Sequence, residues 1–468
     1  MGTGVDTGPR STPGLPAGRL ATAVMPGTLL NPLNSSMIAV ALVGIERDFH
    51  SGVGTATWLI SAFYIAGAVG QPLMGKLADR FGPRRVFVAG LVVVLAVAAL
   101  SPLAPNLGVL IGARVLLALG TSVAFPSAMA MFRACLTGPT PQSALGSVAA
   151  ANSASAAFGP VIGGFLVSWW GWQAIFLVNV PITVVGIVLA LVRLPKVPGD
   201  GGGGRGVFRE MDTPGIGAFV LTLVGVLGFL LSLESGPRWA LVPLAVAGAL
   251  ALVWRELRAA TPFVDFRMLG RNRALLSVYG QYTLVNIVFY ASFFSVPMWL
   301  EEVRGDDTGT AGLLILPLAG VSVLAMPLAS RLINRAGVRA SLVVGSSALL
   351  VGSLGLQLFG STVPVWLLIV VAALLGVPNA FNNLGLQTAL YQAAPPEVMG
   401  TASGLFQTAR YIGSILSSSV IGVLFGAAVN TSGLHAISWV MVVLSVVLVA
   451  VSLGRLRRRP GNRPATGD

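Results

Sequence analysis

The sequence contains one cysteine, Cys135, and two histidines, His50 and His435. A lone cysteine excludes an intramolecular disulfide. One Cys and two distant His residues offer no Cys/His metal set. No nucleophile–base or acid–base pair stands out, so the chain does not read as an enzyme, and nothing calls for a cofactor. Charge is also scarce: 10% of the 468 residues are Asp, Glu, Lys or Arg, where soluble domains carry roughly 25%. That excludes an ordinary soluble fold. Acid is missing where it would matter most, since none of the 16 Asp and Glu residues falls in the middle of a long apolar run.

What is present is apolar. Hydrophobic residues make up 55% of the chain, and the mean hydropathy is +0.84. The apolar residues come in runs of about 20, the length that spans a bilayer core as a helix. Fourteen such runs can be laid out, so the expected fold is all-α: a polytopic membrane protein with about 14 transmembrane helices. The net charge of +13 would suggest nucleic acid in a soluble protein. Here it matches the basic bias of cytoplasmic loops. Apart from Arg114 and Arg410, which fall inside spans, only Arg47, Arg238 and Arg304 lie on the side opposite the termini. The expectation is therefore a cell-membrane protein with both termini cytoplasmic. Its partners would be the lipid bilayer and a small molecule, not nucleic acid, and it would act as a monomer.

Composition divides the chain further. Residues 1–26, dominated by Pro and Gly, read as a disordered cytoplasmic tail, and 27–193 as a first six-helix bundle. Residues 194–213 contain GDGGGG and read as a flexible cytoplasmic linker. Residues 214–258 supply two inserted helices with almost nothing polar, as suits lipid-facing elements. A second six-helix bundle covers 274–455, and 456–468 is a basic cytoplasmic tail.

One loop concentrates charge. GKLADRFGPRR, Gly75 to Arg85, joins spans 2 and 3 and holds five charged residues in eleven. A purely topogenic loop needs cations alone, but this one adds Asp79. It recurs as SRLINRAGVR, Ser330 to Arg339, between spans 10 and 11. Leu77 matches Leu332, Arg80 matches Arg335, Gly82 matches Gly337 and Arg84 matches Arg339, with Asn334 in the place of Asp79. A loop repeated at equivalent places implies a duplicated helical unit with a central site between the halves.

Polar residues inside spans fall in stripes. Span 1 carries Asn31, Asn34 and Ser35; span 4 carries Arg114, Thr121 and Ser122. Span 9 carries Tyr279, Tyr282, Asn286 and Tyr290. In span 12, Asn379, Asn382, Asn383 and Gln387 are spaced to share one helical face. Span 13 carries Gln407, Arg410, Tyr411 and Ser414. Any one of these residues serves equally well as a hydrogen-bonding tie between helices. Five stripes together favour a shared aqueous cavity. The contacts expected with a substrate are Asn31, Asn34, Tyr64, Arg114, Tyr282, Asn286, Asn379, Asn383 and Arg410. In span 5, AFGPVIGGFL places Gly159, Pro160, Gly163 and Gly164 together, which reads as close packing or as a bend that helps a gate.

These motifs resemble the major facilitator superfamily, and within it the fourteen-helix drug:proton antiporter branch. GKLADRFGPRR is similar to the superfamily's G-x-L-A-D-R-x-G-R-K/R loop at Gly75, Leu77, Asp79, Arg80, Gly82 and Arg84; Pro83 departs. LIGARVLLALGTS resembles the span 4 motif R-x-x-Q-G-x-G, with Leu117 and Ala118 as departures. GPVIGG matches the antiporter motif, and WGWQAIFLVNVPI resembles the branch's W-R-W-x-F-x-x-N-x-P signature, departing at Gln173 and Ala174. The resemblance implies two six-helix bundles plus two inserted helices, a cavity lined by helices 1, 4, 9 and 12, and a cytoplasmic gate held by Asp79, Arg80 and Arg84. It also exposes a gap. The branch usually places an Asp in span 1, and LNSSMIAVALV has Asn34 there. An amide carries no proton at neutral pH. Two functions stay open: proton-coupled export of small amphipathic compounds, or an uncoupled facilitator or importer of a polar metabolite.

Overall fold

The computed structural model describes residues 17–50, 58–136, 142–199, 212–232, 236–259, 266–306, 308–425 and 429–454. Among the described residues there are helices and turns and no strand. Hydrocarbon offers the backbone no hydrogen bonds, so apolar runs close their own as helices. The first unit consists of α1 (Ala17–Phe49), α2 (Trp58–Phe81), α3 (Pro83–Leu100), α4 (Leu107–Thr121), α5 (Ala124–Cys135), α6 (Gln142–Trp170) and α7 (Asn179–Arg193). Next come α8 (Thr213–Ser232) and α9 (Leu241–Glu256). The last unit consists of α10 (Arg273–Trp299), α11 (Thr308–Leu356), α12 (Val365–Ala393), α13 (Met399–Phe425) and α14 (Thr431–Gly454). Nine helices among the described residues are long and apolar enough to cross a membrane, or ten if α1, bent by 54°, counts as one span.

Start signals are where elementary chemistry puts them. Asn106 caps α4 by accepting from Val109 N, and Asn272 caps α10 by accepting from Leu275 N, each at 3.0 Å. The repeated loop repeats in three dimensions: Gly82 has φ +93° and Gly337 φ +81°. Both sit in the left-handed region that side chains with a Cβ rarely adopt. Gly82 separates α2 from α3, and Gly337 breaks the 49-residue α11 into two helical segments.

Two expectations need correction. Helix α1 starts at Ala17, inside the expected tail 1–26. Leu20, Ala23 and Val24 are buried there, so one apolar face carries the helix past Arg19. The inserted pair α8–α9 is not merely lipid-facing. Phe219, Leu223 and Leu227 join Ala68, Val69, Tyr411 and Ile415 in one buried cluster. An apolar surface with no polar residue suits lipid and helix packing alike, so composition could not separate the two. The linker 194–213 is described only at its ends. Residues 195–199 run back over the α2–α3 turn, where a Cβ on Gly82 would meet Val197 O at 2.5 Å. Residues 200–211, like the expected tail 456–468, lie outside the described residues.

The two units meet along α2 with α13 and along α6 with α11 and α12. The α2–α13 crossing is backbone on backbone: a Cβ on Gly75 would run into Gly400 O, and one on Gly404 into Gln71 O. Small residues permit such contact in a bilayer, where burial of apolar surface adds no drive.

Candidate functional site

Asn31 of α1 stands at the centre. Its Nδ2 donates to Thr121 Oγ1 of α4 at 3.2 Å. Its Oδ1 accepts from Arg410 Nη2 at 3.1 Å and from the Tyr411 hydroxyl at 2.9 Å, both on α13. One amide thus ties both units together at mid-span. Tyr64 of α2 packs on Tyr411, centroids 5.9 Å apart, and Arg410 Cζ lies 4.9 Å from the Tyr411 ring centre. Of the residues expected at the substrate, the structure brings Asn31 and Arg410 into contact and sets Tyr64 against the neighbouring Tyr411. Thr121 and Tyr411 sat on the polar stripes but only the fold shows their roles.

Asn34 and Arg114 belong to a different network inside the first unit. Asn34 and Asn179 exchange amide hydrogen bonds at 2.6 and 3.1 Å, which joins α1 to α7. Arg114 is 1% exposed. Its Nε donates to Leu59 O at 3.3 Å, Nη1 and Nη2 donate to Asn34 O at 3.4 and 3.3 Å, and its Cζ stands 4.3 Å from the Phe63 ring centre. Backbone carbonyls and a ring face therefore hold this cation. The N-x-P stretch that contains Asn179 was the sequence signal for the pairing. The same stretch grips α1 a second time, through Trp172 Nε1 donating to Asp48 Oδ2 at 2.6 Å.

On α12 the stripe splits. Asn379, Asn383 and Gln387 form a chain: Gln387 Nε2 donates to Asn383 Oδ1 at 2.9 Å, and Asn383 Nδ2 to Asn379 Oδ1 at 3.4 Å. Tyr282 of α10 donates to Asn383 Oδ1 at 3.3 Å, and Asn379 Nδ2 reaches Ser153 Oγ across the units at 3.4 Å. Asn382 turns away and donates to Ser346 Oγ of α11; an offset of one residue from Asn383 is about 100° of helix rotation. Asn286 Nδ2 bonds back to Tyr282 O at 2.7 Å within α10.

Below this layer, toward the termini, the units are closed. Tyr282 stacks on Phe406 with centroids 3.7 Å apart, and Phe125 stacks on the same ring at 6.4 Å. Arg133 Nη1 of α5 donates to Tyr391 O, and the Tyr391 hydroxyl donates to Phe132 O. Asp79 closes the end. Its carboxylate accepts from Gly400 N at 2.8 Å, Thr401 N at 2.8 Å and Thr401 Oγ1 at 2.9 Å. An anion at the first turn of a helix meets free N–H groups and the positive end of the dipole. Arg84, in contrast, donates to Leu191 O at the end of α7, within its own unit. Arg80, in the last turn of α2, lies beside residue 199 of the linker. The span 5 glycines form a packing seam on α1, where a Cβ on Gly159 would overlap Ser36 and one on Gly163 would approach Met37 at 3.2 Å. Gly164 has looser surroundings, with Val40 at 3.9 Å, and the Pro160 side chain lies outside what is described.

Two helical units with matched loops, a polar layer between them and a closed end define a membrane transporter of the two-bundle type. A family model described as Major Facilitator Superfamily matches residues 24–418. The chain belongs to that superfamily, whose members are transporters and not enzymes. An uncharacterized MFS-type transporter, YwoD of Bacillus subtilis strain 168, is 37% identical over 93% of this chain and 97% of its own length. The tetracenomycin C resistance and export protein of Streptomyces glaucescens is 29% identical over 87% of this chain and 76% of its own. The methylenomycin A resistance protein of Streptomyces coelicolor is 26% identical over 96% and 94%. Among solved structures, the human organic anion transporter MFSD10 (TETRAN) superposes with a TM-score of 0.66 over 93% of this chain and 100% of its own, at 17% identity. At that identity the likeness is one of fold.

Proposed function

We propose that the protein is a secondary exporter of small amphipathic compounds, working by alternating access as a fourteen-helix member of the drug:proton antiporter branch. The observation that carries this is the Asn31 junction, where one amide binds both units at mid-span above the closed gate of Asp79 and Phe406. Resistance and export relatives over most of the chain support the direction of transport. On this reading the termini are cytoplasmic, the monomer is the working unit, and the gate seen here is the cytoplasmic one. On the same side lie the start of α1 at Ala17, the tail 456–468 and the linker 194–213.

Protons are the proposed coupling ion, carried by a group other than residue 34. The second reading, an uncoupled facilitator or importer of a polar metabolite, draws on the Asn34–Asn179 amide pair, which offers no titratable group where the branch places its acid. Proteoliposomes with an imposed proton gradient and a pH-sensitive dye separate the two. Coupled export makes added substrate dissipate the gradient. Substrate flux with no proton movement favours the facilitator, and no flux across a broad panel refutes transport.

A further inference from the structure

Two guanidinium groups lie inside membrane-spanning helices, Arg114 buried and Arg410 partly buried, and they are satisfied differently. Each of the three nitrogens of Arg114 finds a backbone carbonyl, and a phenyl ring flanks it. Arg410 makes one hydrogen bond among the described residues, Nη2 to Asn31 Oδ1, with the Tyr411 ring 4.9 Å from its Cζ, and its Nε is buried with no acceptor among the described residues. No carboxylate lies in the middle of any span to balance either charge. A cation at the bilayer centre costs about 2.5–3.5 kcal/mol on insertion scales, so a guanidinium there with a single hydrogen bond gains from an anionic partner.

The surroundings of Arg410 are specific. The Tyr411 ring centre lies 4.9 Å from Arg410 Cζ and Tyr64 packs on Tyr411 at 5.9 Å; Tyr282 and Tyr290 of α10 act electrostatically on the same guanidinium, and Tyr64 and Tyr411 also act on Arg114. Their faces are flat and their hydroxyls polar. Tyr282 also stacks on Phe406, which closes one side of the group. A cationic ligand would meet a positive charge and no counter-ion. A neutral ligand would leave that charge uncompensated. Only an anion completes Arg410, because charge-assisted bonds from a guanidinium match a carboxylate in geometry and strength.

We infer that the central site binds an aromatic organic acid as its anion, with the acidic group on Arg410 and the ring among Tyr64, Tyr290 and Tyr411. This rests on the reading of the protein as a transporter and names the substrate class of that same site. Arg114 takes no part in it and is a structural cation.

The test uses three probes with one ring: 2-naphthoate, 2-naphthamide and 2-naphthylmethylamine. Binding is read as thermal stabilisation of the purified full chain, and movement as flux in proteoliposomes against protein-free vesicles. The wild type should bind and move the acid best. Arg410→Gln should weaken acid binding by about tenfold, the loss of one charge-assisted bond of about 1.4 kcal/mol, and leave the amide within about threefold. Arg410→Lys, which keeps the charge, should recover part of the acid's advantage and serves if the glutamine variant does not fold. Preference for the amine or the amide, or an equal loss for all three probes in Arg410→Gln, overturns the anion site and leaves transport standing. Binding of the acid without flux of any probe keeps the site and overturns the transport reading. Neither binding nor flux with any probe overturns both.

Discussion

At Asp79 a carboxylate in a loop rich in cations reaches the opposite unit. Two backbone N–H groups and one hydroxyl of α13 donate to it, and bonds to a charged acceptor contribute roughly 1.5–3 kcal/mol each. Asp79→Asn keeps the shape, removes the charge and leaves one acceptor oxygen for three donors. The closed state should lose about 1.4 kcal/mol, a tenfold shift toward opening. The protein carries its own reporter. Its single cysteine, Cys135, is half-buried at the end of α5, two residues past the Arg133 contact that crosses to Tyr391. Labelling of Cys135 by a membrane-impermeant maleimide should therefore speed up about tenfold in Asp79→Asn; an unchanged rate would refute the gate. The mixed signs of the loop made Asp79 legible as more than a topological signal. Its partners were not legible, because Gly400 and Thr401 lie more than 300 residues downstream and are an ordinary Gly-Thr pair in sequence. Asn34 shows the same limit. Its departure from the branch motif could be read directly, but its reciprocal bond to Asn179 depends on how α1 and α7 pack.

Among elements, the inserted pair α8–α9 is the part that composition misjudged. Near-absence of polar residues says that a helix can face lipid, not that it must. The pair lies against α2 and α13, the same two helices that close the gate, and its own base is fixed by charge. Asp212, 4% exposed, precedes α8 and accepts from Gly215 N at 3.1 Å and from Arg255 Nε of α9 at 2.7 Å. It is at once an N-cap and half of an ion pair. These roles separate by substitution, since Asn caps a helix about as well as Asp but carries no charge. Asp212→Asn should cost only the ion pair, which is half-exposed on the arginine side and so contributes under about 1 kcal/mol. Asp212→Ala should lose the cap as well, about 1 kcal/mol more. Thermal unfolding of the purified protein should rank the wild type, Asn and Ala variants in that order. Equal midpoints for Asn and Ala would mean that the cap is irrelevant. The repeat was the most legible feature at this scale. Gly82 and Gly337 were matched by sequence alone, and both adopt positive φ, because a turn that tight between two helices leaves few alternatives to glycine.

For the whole molecule, the hydrogen bonds sort into two classes that a rocking motion must treat differently. Asn34–Asn179 and Arg114–Leu59 O lie within the first unit. Asn379–Ser153, Asp79–Thr401 and Asn31–Arg410 cross between units. If the units move as rigid bodies about a midplane site, the first class persists through the cycle and the second must break and re-form. Sequence could assign residues to halves through the duplicated loop, but it could not say which polar residues face across the seam, since a stripe on a helix looks the same in either role. Paired cysteines in a Cys135→Ser background make the distinction measurable. Asn34→Cys with Asn179→Cys, bridged by a short bifunctional methanethiosulfonate, should leave substrate flux in proteoliposomes within about twofold of the unbridged protein, because a tie inside one rigid body restrains nothing that moves. The same bridge between Ser153→Cys and Asn379→Cys should abolish flux, and a reducing agent should restore it. Flux that survives the Ser153–Asn379 bridge would show that the units do not separate at α6 and α12. Loss of flux from the Asn34–Asn179 bridge, reversed by reductant, would show instead that α1 moves against α7 within its own unit, and that the seam between the two halves is not the only one that opens.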